Sequence, residues 1–449
     1  MRTYASDTLK RNAGRKAPMH VRAAKRRAPF RRVMQTSKTP QLTLISAAVL
    51  LAMGASRNSF ALPSGEQVSA GQATIQRPSA SSMVINQAAP KAVVNWQSFS
   101  IGQRESVDVR QPSASAVLLN RVVGVDASSI QGRLTANGQV FLLNPNGILF
   151  GPTSQVTVGG IVASTLSMTD KDFYSGNYKL TGTGKPGSVQ IQAGAQITAH
   201  DHGYIGVLGG EVSNEGTLTA KLGTVALAAG DSVTLDFAGD GLTKIKVDKA
   251  ALDAVVANHG AIIADGGQAI MTVNSSLQLA QTVVNQSGVI RAQSLLERDG
   301  RIILASLGQG DVMVSGTVDA SGPAAGTTGG TVHVSGDRVG IVDHGSIDAS
   351  GAAGGGEVLI GGGLHGNNPD VRNASATYVG PNANVSADAT TTGNGGTVAV
   401  WSDGPTRAFG SISARGAGNS GDGGLVETSG KFLDVTGIRV DTSSPKGKS

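Results

Sequence analysis

Apolar triplets that stop on asparagine recur down this chain, and few folds can absorb them. "VVN" ends at Asn95, "LLN" at Asn120 and "LLN" again at Asn144, so the asparagines lie 25 and 24 residues apart. A fourth triplet, "VVN", ends at Asn285. A related unit follows as "NEGTLTA" from Asn214, "NHGAIIA" from Asn258 and "NQSGVIRA" from Asn285. The last third repeats "GTVDASG" from Gly316, "GSIDASG" from Gly345, a degenerate "ANVSADA" from Ala383 and "GSISARG" from Gly410. Each of these is followed by a glycine loop and a second strand: "GGTVHV" (Gly329), "GGEVLI" (Gly355), "GGTVAV" (Gly395) and "GGLVET" (Gly423). Strand–turn units at such a period build a solenoid, each coil resting on the one before. Equivalent positions then stack at the strand spacing of about 4.8 Å. An asparagine closing a buried strand is tolerable there, because neighbouring coils supply its hydrogen-bond partners. Asn95, Asn120 and Asn144 are therefore expected to form one ladder.

The stretch "FLLNPNGILFG" (Phe141 to Gly151) carries the sharpest turn signal. Asn144, Pro145 and Gly147 sit where a type I turn wants asparagine, proline and glycine. Ile148 then restarts a strand. A β-hairpin would use the same residues, but "LLN" recurs at Asn120 without the turn, which favours a coil corner. With 63 glycines in 449 residues, helical repeats are excluded. The pattern predicts an all-β chain: a parallel β-helix from about Leu62 onward, right-handed by the strong default for parallel crossovers. "GQATIQR" (Gly71 to Arg77) and "SSMVINQ" (Ser81 to Gln87) read as an N-terminal cap over the first open edge. No comparable cap is legible before the final "SSPKGKS", which suggests a truncated product or an unfamiliar cap. One inserted segment, Asp236 to Ala257, breaks the period. Its "VDKAALDAVVAN" predicts a short helix outside the solenoid, with Asp248 as N-cap.

The net charge of +6 is misleading. Residues 1–40 hold twelve Lys or Arg against Asp7, or +11, which leaves −5 for the rest. The basic charge belongs to a leader, so nucleic acid is not expected as a partner. The leader, residues 1–61, reads as an extended secretory signal. "KRRAPFRR" precedes the apolar "LTLISAAVLLAMGA", which is shorter than the roughly 20 residues a membrane span needs, and cleavage is expected between Ala61 and Leu62.

Motifs for chemistry fare poorly. Asp319 and Asp348 fall at equivalent places and could stack as a carboxylate pair, but the copy at Gly410 has Ser413 there. Solvated corner residues are the plainer reading. "GGGLHG" (Gly361 to Gly366) lacks the helix a dinucleotide loop requires. "GTGKPG" (Gly182 to Gly187) has Pro186 where a phosphate loop needs Ser or Thr. "HDH" (His200 to His202) lacks a third metal ligand nearby. With no cysteine, thiolate sites are excluded. No catalytic, cofactor-binding or metal residue is expected.

Four segments resemble a known family: "VNWQSFSIG" (Val94 to Gly102), "LLNRVVG" (Leu118 to Gly124), "SSIQGRLTANGQVFLLNPNGILFG" (Ser128 to Gly151) and "VTVGGIVAST" (Val156 to Thr165). They are similar to the N-terminal secretion domain of filamentous-haemagglutinin-like exoproteins, the passengers of Gram-negative two-partner secretion. The resemblance is dense over residues 62–295. Residues 296–449 look like the start of an adhesin-type shaft. It implies export through the periplasm to the cell surface or medium, with recognition by the periplasmic domains of an outer-membrane transporter. It also implies a secretion motif at Asn144, Pro145, Asn146, Gly147 and Ile148. A second family motif, Asn-Pro-Asn-Leu, is not found. The bound surface, a host or neighbouring cell, is expected to be glycan or protein. A toxin stalk or a polysaccharide-active enzyme on the same scaffold is the competing expectation.

Overall fold

Strand after strand in this chain alternates inward and outward side chains, and the computed structural model shows what that alternation builds. It describes residues 62–449 except 185–186, 240, 277–280 and 297. The chain forms a right-handed parallel β-helix. Its strands gather into a 22-stranded and a 14-stranded sheet that run the length of the stack. A typical coil consists of Tyr204–Gly209, Glu211–Asn214 and Thr217–Thr219, and the next coil begins at Thr224–Ala229. One interior column runs Leu118, Val140, Ile161, Ile205, Val225, Ala269, Ile302, Val332, Val358 and Val398, each paired with the next. These side chains belong to a single continuous core from Met83 to Ile412. Small and β-branched residues suit this narrow interior because they pack flat against their copies above and below.

The late repeats align as their spelling predicts. Val318 pairs with Ile347, Ile347 with Val385 and Val385 with Ile412, so the degenerate copy at Ala383 is a true coil. Asp319 and Asp348 are register partners. Their Oδ1 atoms accept the backbone N–H of Ser321 and Ser350 at 2.9 and 2.8 Å, which makes them turn-closing corner residues.

The N-terminal cap consists of Ala73–Ser79, antiparallel on Ser82–Gln87, and Gln67–Ala70, antiparallel on Lys91–Trp96. Ser82–Gln87 itself pairs in parallel with Ser106–Arg110, so it is the first rung rather than part of the cap. Leu62 packs against the interior. The predicted leader, with Ala61, lies outside the described residues, as does part of "GTGKPG". The "HDH" segment is an exposed turn in which His202 has φ 64°.

Two further expectations need correction. The asparagine ladder does not form as expected. Asn120 pairs with Val94 and Leu142, whereas Asn95 pairs with Arg121. Asn144 lies past the end of its strand, Gln139–Leu143. The triplets "VVN" and "LLN" look equivalent but sit one or two residues out of register, and a single-residue offset turns a side chain to the opposite sheet face. Asn120 points inward and accepts the Trp96 indole N–H at 3.0 Å, while Asn95 accepts from Arg121 at 3.2 Å. A true amide ladder exists further on. Asn214 donates to Asn258 at 2.7 Å, and Asn258 to Gln286 at 2.8 Å. The residue that continues the ladder is thus Gln286, not Asn285.

The second correction concerns "VDKAALDAVVAN". No helix forms there. Val247 to Lys249 close a strand, Gly241–Lys249, antiparallel to Ser232–Ala238. Asp253 has φ 61°, which no helix accommodates, and Val255–Asn258 returns to the solenoid on Glu211–Asn214. Apolar residues at Val233, Leu235 and Phe237 alternate with polar ones, a strand period that outweighs the local run of Ala and Leu.

Candidate functional site

The corner at Asn144 follows directly from its local sequence. Gln139–Leu143 ends against Pro145, which has no N–H to continue a ladder. Gly147 donates to the Asn144 carbonyl at 3.1 Å, closing the turn. Gly147 has φ 125°, a backbone conformation that side-chain-bearing residues avoid. The strands on either side, Gln139–Leu143 and Ile148–Phe150, pair with neighbouring coils rather than with each other, so this is a coil corner and not a hairpin.

The five motif residues divide into two classes. Asn144 is fully buried. Its Nδ2 donates to the Asp126 carbonyl and to Ser128 Oγ, both at 3.0 Å. Its Oδ1 accepts from Asn146 N at 3.0 Å and from Asn146 Nδ2 at 3.1 Å. Its backbone N–H donates to Ser164 at 2.9 Å. Ile148 is buried in the interior. These residues hold three coils together. Only Pro145 and Asn146 present side chains at the surface. Asn146 still reaches back to donate to the Gly124 carbonyl at 2.9 Å. The coil above sits directly on the turn, with Gly187 N–H donating to the Pro145 carbonyl at 3.1 Å. A Cβ at Gly187 would come within 2.8 Å of the Gly147 nitrogen, so that coil can rest there only through glycine.

A second feature, unforeseen in the sequence, adjoins the corner. The outward column Val93, Leu119, Phe141, Val162, Gly206, Ala226 and Ile270 is apolar, although outward positions on a solenoid normally face water. An extra layer covers it. The layer contains the excursion after Ser164, with helix Asp170–Ser175, and a three-stranded antiparallel sheet of Lys179–Thr181, Ser232–Ala238 and Gly241–Lys249. Phe173, Leu180, Val233, Leu235, Leu242 and Val247 pack onto the column as a second core. Each such buried side chain contributes on the order of 1.5–3 kcal/mol. Aromatic rings link the two parts. Phe141 lies 5.7 Å from Tyr178, and Phe237 lies 5.0 Å from both Tyr178 and Tyr204.

Cations from the solenoid fasten the helix. Arg121 donates to Asp170 Oδ1 at 2.6 Å and to the Met168 carbonyl at 2.8 Å. Lys91 Nζ donates to the Phe173 carbonyl at 2.8 Å and lies over the Phe173 and Tyr178 rings. Thr169 caps the helix by accepting from Asp172 N, and the Asp172 carboxyl is held below its usual range by the Thr169 hydroxyl and then Asn177. One signal in the sequence could have revealed the layer. Val140-Phe141-Leu142-Leu143 and Ile161-Val162-Ala163 are unbroken apolar runs, the mark of strands buried on both faces.

Comparison with known proteins agrees with this architecture. Residues 59–320 match the family model described as TPS secretion domain. Two curated relatives, both named heme/hemopexin-binding protein and both from Haemophilus influenzae, are 31% and 30% identical over 268 and 258 residues. Those stretches cover 58% and 53% of this chain but only 29% and 27% of the relatives, so the chain spans less than a third of their length. The crystal structure of the HMW1 secretion domain from Haemophilus influenzae superposes with a TM-score of 0.75 at 28% identity, covering 85% of this chain and 99% of that one. With the solenoid, its N-terminal cap and the matched span all in place, the chain belongs to the TPS secretion domain family, the secreted partners of two-partner exoprotein systems.

Proposed function

We infer that the corner Asn144–Ile148 is the element by which the outer-membrane transporter's periplasmic domains select this chain, and that the solenoid beyond it is a non-enzymatic, adhesin-type shaft displayed outside a Gram-negative cell. The observation that carries the reading is the division of labour at the corner. Asn144 and Ile148 are consumed by coil packing, while Pro145 and Asn146 stand at the surface on a rigid bend. A recognition element needs that combination of fixed backbone and accessible polar tip. The shaft reading is supported by carboxylates already committed to structure. Asp319, Asp348 and Asp441 each close a turn by accepting a backbone N–H two residues on. Heme and hemopexin binding belong by name to relatives this chain covers only in part.

The test is co-expression with the cognate transporter. Asn146→Ala keeps the Asn144 bonds to the Asp126 carbonyl, to Ser128 Oγ and from the backbone N–H of residue 146, and gives up the amide's bonds to Asn144 Oδ1 and the Gly124 carbonyl. It is expected to accumulate in the periplasm and vanish from the medium, while its purified form loses less melting temperature than Asn144→Ala. Asn144→Ala should show the same export defect together with a lowered melting temperature. Wild-type amounts of both variants in the medium would remove the corner from recognition.

A further inference from the structure

Asparagine followed by glycine occurs at three places in the chain: Asn137-Gly138, Asn146-Gly147 and Asn394-Gly395. Glycine leaves its own nitrogen unshielded and its backbone free to bring that nitrogen against the preceding side chain. The fold ties down this nitrogen at all three places. Gly138 N–H donates to Gln111 Oε1 at 3.0 Å, Gly147 N–H to the Asn144 carbonyl at 3.1 Å and Gly395 N–H to the Asp422 carbonyl at 2.9 Å. The asparagine side chains are held in different ways. Asn394 uses its oxygen, with Oδ1 accepting the Asp422 N–H at 2.8 Å, and a carboxylate there would accept it as well. Asn146 uses its nitrogen. Nδ2 donates to the Gly124 carbonyl at 2.9 Å and to Asn144 Oδ1 at 3.1 Å, two acceptors that a carboxylate would repel. The next coil also presses on this peptide. A Cβ on Gly187 would lie 2.8 Å from the Gly147 nitrogen and 2.9 Å from the Asn146 carbonyl carbon, so the corner has no room for a longer backbone.

We propose that Asn146 is a deamidation site, closed while the chain is folded and open while it is unfolded, and that its conversion disables the corner irreversibly. In the reaction the Gly147 nitrogen gives its proton to solvent and bonds to Asn146 Cγ. The Cγ–Nδ2 bond breaks, the side-chain nitrogen takes up a proton and leaves as ammonia, and a succinimide ring remains. Water opens that ring at either carbonyl. One opening gives aspartate; the other gives isoaspartate, whose backbone is longer by one carbon. In the folded chain the ring cannot close. The Gly147 proton is engaged by the Asn144 carbonyl, the Gly147 carbonyl accepts the Ser128 N–H at 3.0 Å, and φ is fixed at 125°. An unfolded chain holds such contacts only fleetingly. Neither product can rebuild the corner. Aspartate turns a carboxylate toward the Gly124 carbonyl and Asn144 Oδ1, and isoaspartate pushes the backbone into Gly187. Time spent unfolded is therefore recorded at one residue, whether or not a transporter is present.

The experiment holds the full chain in urea or in native buffer at the same mildly alkaline pH. Peptides containing Asn137, Asn146 and Asn394 are then scored by mass spectrometry for exchange of amide for acid. All three are expected to convert in urea. In native buffer, conversion at Asn146 should be at least about tenfold slower, because it waits on opening of the coil. Asn144→Ala removes the Oδ1 acceptor and should raise native-state conversion at Asn146 while Asn394 stays slow. Ser128→Ala removes one partner of Asn144 and should give a smaller rise, which covers the case where Asn144→Ala fails to fold and Asn394 speeds up in step. Asn146→Asp should melt below wild type, whereas Asn394→Asp should melt close to it. When chains aged in urea are diluted, the folded fraction should be depleted of molecules modified at Asn146 but not of those modified at Asn394. Equal conversion of Asn146 in urea and in native buffer, Asn146→Asp that melts like wild type, or a folded fraction that keeps molecules modified at Asn146 overturns the proposal. No transporter enters these measurements, so their result and that of the export test are read separately.

Discussion

Asn144 makes four side-chain hydrogen bonds without reaching solvent. Truncation leaves Ser128, the Asp126 carbonyl and the Asn146 amide to find other partners in a tight space. Asn144→Ala should therefore cost about 1–3 kcal/mol in denaturant unfolding. A second residue-scale prediction concerns acid. His333 Nε2 lies 2.9 Å from Glu357 Oε1, and that contact is the main reason the Glu357 carboxyl titrates below its usual range. A lowered folded-state value means that the contribution is fully present above the ordinary glutamate value of about 4.3 and is lost as pH falls through the folded value. Glu357→Gln should flatten the acid side of a melting-temperature profile below about pH 5. An unchanged profile would show that the contact is not coupled to folding. At this scale the sequence was only partly legible. The turn at Asn144 could be read because proline and glycine constrain the backbone directly. The partnership of Asn95 and Asn120 could not, because triplet spelling does not reveal a one-residue register offset.

At the scale of elements, the amide ladder offers a test of coupling. Asn258 lies between Asn214 and Gln286, donating to one and accepting from the other. Asn258→Val strands a donor on Asn214 and an acceptor on Gln286, so it should cost more than a peripheral hydrogen bond, about 1–3 kcal/mol. In a double-mutant cycle, Asn214→Val with Asn258→Val should cost less than the sum of the single changes, with a coupling of about 0.5–3 kcal/mol. Additive costs would mean that the amides act independently. The late coils were legible because Val318, Ile347, Val385 and Ile412 occupy one column and are spelled alike. The hairpin Ser232–Lys249 was missed because Ala250, Ala251 and Leu252 suggest a helix locally. Its alternating Val233, Leu235 and Phe237 make sense only against a surface supplied by coils far away in sequence. Tertiary burial overrode local propensity there.

Across the whole molecule, stability should fall toward the last coil. Leu425–Asp434 and Arg439–Asp441 pair on one side only, and Leu425, Phe432 and Leu433 are exposed. Their amides should exchange before those of Gln268–Val273, which is paired on both sides and buried almost throughout. Hydrogen exchange read by mass spectrometry checks this; equal protection along the stack would argue for one all-or-none unit. The opposite end differs in kind, because Gln67–Ala70 and Ala73–Ser79 run against the direction of every strand they cover. A duplicated coil placed among the late repeats meets faces like its own, whereas one placed ahead of the first rung meets a reversed backbone with nothing to match. Descendants of this gene can therefore gain or lose storeys by unequal crossing-over only on the side remote from the Asn144 bend. Changes in passenger length thus need not disturb compatibility with the export partner.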